Sequence, residues 1–203
     1  MTPDSLEQCC RACEERLRIS DDRAEKFSAE FSECACESVS ISMHSPGKID
    51  NSEILARLVF EPKHIDADGN IEVGALYDIS RNGLSLQRRV ENDGARLAAL
   101  GHDMAQSRNE RSRAQVLQSG KDVKPEEKFL GIVELMVGKI RAHEIANRRS
   151  FCVMDSAKED DSLHTDIITN GKLTKSERSK LRNELRQLIL NLKPNMPSLP
   201  HDK

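Results

Sequence analysis

The sequence predicts an α+β fold with an N-terminal helical hairpin, a mixed or antiparallel sheet and a C-terminal amphipathic helix. Three observations carry that prediction. Apolar residues recur at helical spacing at both ends of the chain, the period changes to strand alternation near residue 38 in "SVSISM", and short apolar runs bounded by turn residues then continue to about residue 168. With 203 residues the chain can hold one generous domain and a small appendage. The expected division is a cysteine-rich helical hairpin over 1–37, an α+β domain over 38–192 and a disordered tail over 193–203.

At the N-terminus, Ser5 or Asp4 can cap a helix over 5–18 whose stripe is Leu6, Cys10, Cys13 and Leu17. Ser20, followed by Asp21 and Asp22, can cap a second helix ending near Cys34, with Ala24, Phe27, Phe31 and Cys34 on one face. A tight reversal at Ile19 and Ser20 pairs the two stripes, setting Cys13 near Phe27, Cys10 near Phe31 and Leu6 near Cys34.

"SVSISM" then reads as a half-buried strand. "DNSEILARLVF" offers Asn51 or Ser52 as a cap and Ile54, Leu55, Leu58 and Val59 as a short helical stripe, ended by Pro62. "HIDADGNIEV" reads as strand, turn and strand, and Asn82-Gly83 as a reversal into the strand "LSLQRRV". Residues 92–119 are polar and helix-prone, with Leu97, Leu100 and Met104 on one side before the arginine-rich "SRNERSRAQVLQ". "FLGIVELMVGKIRA" is the most apolar stretch and reads as a buried central strand, with "SFCVMDS" its neighbour and "LHTDIIT" another beyond an acidic loop. The last helix opens with a Thr174/Glu177 capping box, carries Leu181, Leu185, Leu188 and Leu192 on one face, and stops at Pro194.

Composition narrows the function. Hydrophobic residues make up 37% and charged residues 32%, with five Phe and one Tyr, so the expected core is modest. A net charge of −3, from 31 basic and 34 acidic residues, excludes nucleic-acid binding driven by the charge of the whole chain. Local arginine groups leave a nucleic-acid or acidic protein partner open: Arg81, Arg88 and Arg89, then Arg108, Arg111 and Arg113, then Arg178, Arg182 and Arg186. Interleaved Glu177 and Glu184 fit an ordinary salt-bridged surface instead. Neither a leader pattern nor an apolar run of membrane-spanning length is visible, so no membrane partner and a soluble, cytoplasmic protein with reduced cysteines are expected.

Five of the six cysteines fall between residues 9 and 36. A structural zinc ion wants four thiolate or imidazole ligands, commonly as two closely spaced pairs. Cys10 and Cys13 make one pair and Cys34 and Cys36 another. Hairpin geometry sets Cys13 a turn too deep, which makes Cys9, Cys10, Cys34 and Cys36 the candidate zinc set, with His44 as an alternative ligand. Cysteine also packs as a small hydrophobe, so core packing and a disulfide stay open.

Elsewhere, "HIDADGNIE" mimics a calcium loop at Asp66, Asp68 and Asn70, but Ile71 and Tyr77 stand where that loop needs Gly and Glu. A hairpin turn accounts for it. The candidate catalytic set is Asp155, His164 and Asp166: Asp155 ends a strand, His164 and Asp166 share a face of the next, and carboxylates with an imidazole suit a metal-dependent hydrolase or nuclease. No nucleotide-binding, zincin or serine-hydrolase motif is present.

The run "ILARLVFEPKHIDADGNIEVGALYDISRNGLSLQRR", with "FCVMDSAKEDDSLHTDII" further on, resembles small uncharacterised bacterial proteins, some carried in mobile or defence-related gene clusters. The resemblance implies a bacterial origin and no known activity. The expected function is a non-catalytic accessory or interaction protein of a multi-component system; the alternative is the metal-dependent hydrolase or nuclease, as an antiviral defence effector.

Overall fold

A computed structural model of the chain describes residues 15, 34, 37, 42–120, 125–171 and 173–194. The fold is α+β. Its strands are β1 (Ile54–Glu61), β2 (Leu84–Arg88), β3 (Lys128–Met136), β4 (Glu144–Ile145), β5 (Arg148–Arg149), β6 (Phe151–Met154), β7 (His164–Thr169) and β8 (Ile189–Pro194). Its helices are α1 (Gly94–Ser119), α2 (Val137–Arg141) and α3 (Lys175–Gln187), with a 3-10 helix over Val73–Ser80. Six strands form one sheet in the order β6-β7-β2-β1-β3-β8, and β4 and β5 form a separate hairpin. The pairs β1–β2, β2–β7 and β6–β7 are antiparallel.

Two compact units divide the chain. The first comprises residues 1–57, 76–89 and 134–190, the second 58–75, 90–133 and 191–203. In the first, register fixes which residues share a sheet face. Leu84 and Leu86 lie opposite Ile167 and Thr165, and Val153 opposite Ile167, so these side chains stand on one face. Leu84, Leu86, Val153 and Ile167 join Phe151 with Leu76 and Ile79 of the 3-10 helix, Val137 and Ile140 of α2, and Leu181 and Leu185 of α3 in a buried apolar cluster. The other face of β2, β7 and β6 carries Ser85, Gln87, His164, Asp166, Cys152 and Met154.

In the second unit, Asp93 opens α1: its carboxylate accepts from Val90 N at 3.2 Å and pairs with Arg96 at 3.3 Å, and its carbonyl accepts from Leu97 N. Gly120, in the left-handed conformation, closes the helix by donating to the Val116 carbonyl at 2.9 Å. Only Leu97, Ala98, Gly101 and Ala105 of this helix are buried.

Several expectations need correction. Residues 54–61 are a strand, not a helix. Six successive residues of β1, Leu55 to Phe60, are buried, because the strand lies between β2 and β3 and both its faces are covered. A central strand is apolar without alternation, and within seven residues that looks like a helical stripe. "HIDADGNIEV" supplies a single bridge, Ile65 to Ile71, around a turn in which Asp66 Oδ1 accepts from Asp68 N and Asn70 N. Asn82-Gly83 closes the 3-10 helix, donating with Arg81 to the Asp78 carbonyl, rather than joining two strands. The Thr174/Glu177 capping box opens α3, but that helix ends at Gln187, and Leu192 lies in β8. Pairing in the sheet wins over the helical spacing of the leucines. The proposed hairpin over 5–34, apart from residues 15 and 34, and the tail beyond 194 lie outside the described residues.

Candidate functional site

The acidic loop between β6 and β7 brings four polar side chains together on the second sheet face. Asp166, fully buried, accepts from Ser156 Oγ at 2.8 Å and from Ser85 Oγ at 3.0 Å. His164 Nδ1 lies 3.0 Å from both the carbonyl and the hydroxyl oxygen of Ser156, and 3.9 Å from Asp166 Oδ2. Because the Ser156 hydroxyl donates its proton to Asp166, the ring proton belongs on Nδ1, shared between the two Ser156 oxygens. Beside them Gln87 Nε2 donates to Asp161 Oδ2 at 2.5 Å. Burial holds the His164 imidazole below its ordinary pKa; the charge of Asp166 opposes this, as do Asp161 and the Ser156 backbone, while Lys158 reinforces it. The ring is neutral at pH 7.

Asp155 does not join this group. Alternation carried one residue past β6 puts it with Val153 on the core face, opposite His164, and its Oδ2 accepts from Ser45 Oγ of the 42–47 loop. The same loop is fastened by Ser42 Oγ, which donates to the Ala157 carbonyl at 2.6 Å. So His164 and Asp166 come together as the spacing predicts, and Asp155 stands apart on the other side of the sheet. Among the described residues no group of three or more His, Cys, Asp or Glu side chains is placed to hold a metal ion. The geometry is not that of a serine nucleophile with its base either. There an imidazole bridges hydroxyl and carboxylate through its two nitrogens; here the hydroxyl lies between ring and carboxylate, and its proton goes to Asp166. Sequence reasoning missed Ser85 and Ser156. The signal was available: Ser156 follows Asp155 and so falls in the opposite phase, on the side of His164.

The cysteines are also rearranged. Cys34 is joined by a disulfide to Cys152 of β6, 118 residues away, with Cα atoms 5.3 Å apart and both residues buried. A sulfur in a disulfide has no thiolate to give to zinc, so Cys34 leaves the proposed ligand set. Cys9, Cys10 and Cys36 lie outside the described residues. A disulfide was one of the readings left open for these cysteines; its pairing with Cys152, outside the cluster, was not expected. Three residues on, Glu37 is buried on the outer edge of β6: its Oε1 accepts from Arg141 Nε at 2.7 Å and from Val153 N at 2.8 Å, and its Oε2 pairs with Arg149 Nη2.

The arginine groups expected to meet phosphates are largely engaged within the chain. Arg88 is buried and holds both oxygens of Glu53, at 2.8 and 2.9 Å, and the Gly47 carbonyl at 2.6 Å. Arg89 pairs with Glu134 at 2.7 Å. In the second unit Arg108 pairs with Glu127 at 2.9 Å and stacks 4.3 Å over the Phe60 ring, and Arg113 pairs with Glu126. A groove of about 510 Å³ beside these pairs is lined by His102, Asn109, Arg113, Glu127 and Phe129, among others, with both signs of charge. Among the described residues no helix is long and apolar enough to cross a membrane.

The chain matches no protein-family model, no curated protein and no solved structure.

Proposed function

We propose that the chain is a non-catalytic accessory or interaction protein of a bacterial multi-component system, meeting its protein partner through the outer half of α1. The imbalance within that helix carries the reading. Its first half is anchored by four buried residues, whereas none of the fourteen residues from Gln106 to Ser119 is buried and Leu117 is 87% exposed. A polar helical segment this short is marginal by itself in water. The half-buried Arg108–Glu127 pair and the exposed Arg113–Glu126 pair help to hold it, and the exposed one contributes at most about 1 kcal/mol. A partner that covers Leu117 and half-buried Val116 adds the missing apolar contact. The hydrolase alternative needs Asp155, His164 and Asp166 in one site, and the pleat of β6 and β7 gives it no support.

A photo-crosslinking residue at position 117 tests the reading in the complex with the products of neighbouring genes. A stoichiometric adduct is expected, together with at least ten-fold weaker binding of Leu117→Asp at an unchanged unfolding temperature. A partner that binds Leu117→Asp as tightly as the native chain would overturn it.

A further inference from the structure

The edge of β6 carries a carboxylate seat. Ser150 O accepts from Asn170 N, so the alternation of the antiparallel ladder turns the N–H and C=O of Phe151 and Val153 away from β7, towards the edge of β6 with which no other described strand pairs. At that edge the Val153 N–H and the guanidinium groups of Arg141 and Arg149 converge on one buried carboxylate, that of Glu37. Two hydrogen-bond donors, Arg141 Nε and the Val153 N–H, and a second guanidinium in ion-pair contact make the kind of site that binds an acidic side chain or a peptide C-terminus from another molecule. Here the chain fills it with its own glutamate. Three residues before Glu37, the Cys34–Cys152 disulfide fastens the same segment to the same strand.

We propose that Arg141, Arg149 and the Val153 N–H form a binding seat for a carboxylate-bearing peptide, that Glu37 is its intramolecular occupant, and that the Cys34–Cys152 disulfide keeps the occupant in place. While the bond is intact, a competitor faces a carboxylate that cannot leave. A dithiol reductant removes the lock: it transfers two electrons and two protons, the S–S bond breaks, each sulfur becomes a thiol, and the reductant is left as its own disulfide. The reduced form has a place for the new proton, since Cys34 Sγ lies 3.6 Å from the Phe151 carbonyl, an acceptor for the thiol. Because both sulfurs are buried, reduction follows local opening of the segment. Glu37 then competes only through its short chain connection, at an effective concentration of the order of millimolar. The seat involves no residue of α1, and it stands or falls independently of the partner-binding role given to that helix.

The probe is a fluorescent synthetic peptide of residues 31–41 with both its cysteines replaced by serine, titrated into the full chain and followed by anisotropy. Oxidised native protein is expected not to bind it. Dithiol-reduced protein binds it weakly, and reduced Glu37→Ala binds it at least ten-fold more tightly. A peptide carrying glutamine in place of its own glutamate at position 37 loses that binding. In parallel, hydrogen exchange at the Val153 amide of the native chain rises at least ten-fold on reduction while the amides that pair β6 with β7 keep their protection; this reading needs no variant that might fail to fold. Equal binding by oxidised and reduced Glu37→Ala would remove the lock from the proposal. No binding by reduced Glu37→Ala with native unfolding behaviour would remove the seat, and no change at Val153 on reduction would remove the lock.

Discussion

On β7, His164 and Asp166 stand side by side with Nδ1 3.9 Å from Oδ2, yet the imidazole is held below its ordinary pKa. Removal from water outweighs the neighbouring carboxylate, and the Asp166 oxygens are already engaged by the hydroxyl groups of Ser85 and Ser156. In the unfolded chain this histidine titrates near pH 6.5. The unfolded state therefore binds more protons than the folded one just below that pH. Stability is complete above about pH 6.5 and falls as the pH drops through the folded-state pKa, with a slope of at most about 1.4 kcal/mol per pH unit for one proton. Urea titrations at intervals between pH 5 and 8 should show this slope, and His164→Gln should flatten it. A native chain whose stability is level across the interval would contradict the neutral assignment.

Asp166 separates a structural network from a catalytic one. Replacing it by alanine removes the acceptor of the half-buried Ser85 and Ser156 hydroxyl groups and leaves a small cavity at a fully buried position. A hydroxyl without an acceptor costs about 1–3 kcal/mol when fully buried and less where water reaches it. Asp166→Ala should therefore lower the unfolding free energy by about 1–3 kcal/mol, and Asp166→Asn by less, because its amide oxygen still accepts. Unchanged stability in Asp166→Ala would argue that the carboxylate is kept for chemistry.

Legibility of the sequence followed the range of the interaction that decides each element. Local rules placed the Thr174/Glu177 cap, the long helix ending before Gly120 and the shared face of His164 and Asp166, all of which depend on neighbours within a few residues. Longer-range contacts decided the misread parts. Ile54 to Phe60 is a strand because it pairs between β2 and β3 and is buried on both its faces, and Leu192 leaves the helical stripe because β8 joins the sheet. Cys34 had four nearer cysteines to be compared with, and nothing in the pattern of "SFCVMDS" marks Cys152 as its partner 118 residues away. Ser45 and Asp155 meet across a comparable separation, which fixed Asp155 on the face that the catalytic hypothesis did not allow.

The β4–β5 hairpin offers a stabilising change. Its two-residue turn sets Ala146 at φ 52° and Asn147 at φ 59°, both in the left-handed region that such turns require. Asparagine tolerates that conformation, whereas the Cβ of alanine makes it cost about 1 kcal/mol. Ala146→Asn or Ala146→Gly should raise the unfolding free energy by about 0.5–1 kcal/mol. A lower melting temperature for both variants in calorimetry would show that the turn is not strained at this position.

Gly101 provides the opposite case within the second unit. It lies in the buried stretch of α1, and a methyl group added there would overlap the ring carbons of Phe129 on β3. By helix propensity alone, Gly101→Ala should stabilise an internal helical position by about 1 kcal/mol. Packing opposes it, because Phe129 is not free to withdraw: its ring meets Phe60 edge-on at 5.9 Å and His102 at 5.4 Å. Forcing a methyl into such a contact costs about 1–3 kcal/mol, and the substitution is expected to destabilise by about 1–2 kcal/mol net. The double variant separates the two effects. Phe129→Leu alone loses ring contacts, but in that background Gly101→Ala meets a smaller side chain and should become neutral or stabilising. A cycle of four proteins measured by urea unfolding gives the coupling directly. A coupling near zero, with Gly101→Ala equally harmful beside leucine, would mean that the close approach of helix and strand at Gly101 is set by something other than the Phe129 ring.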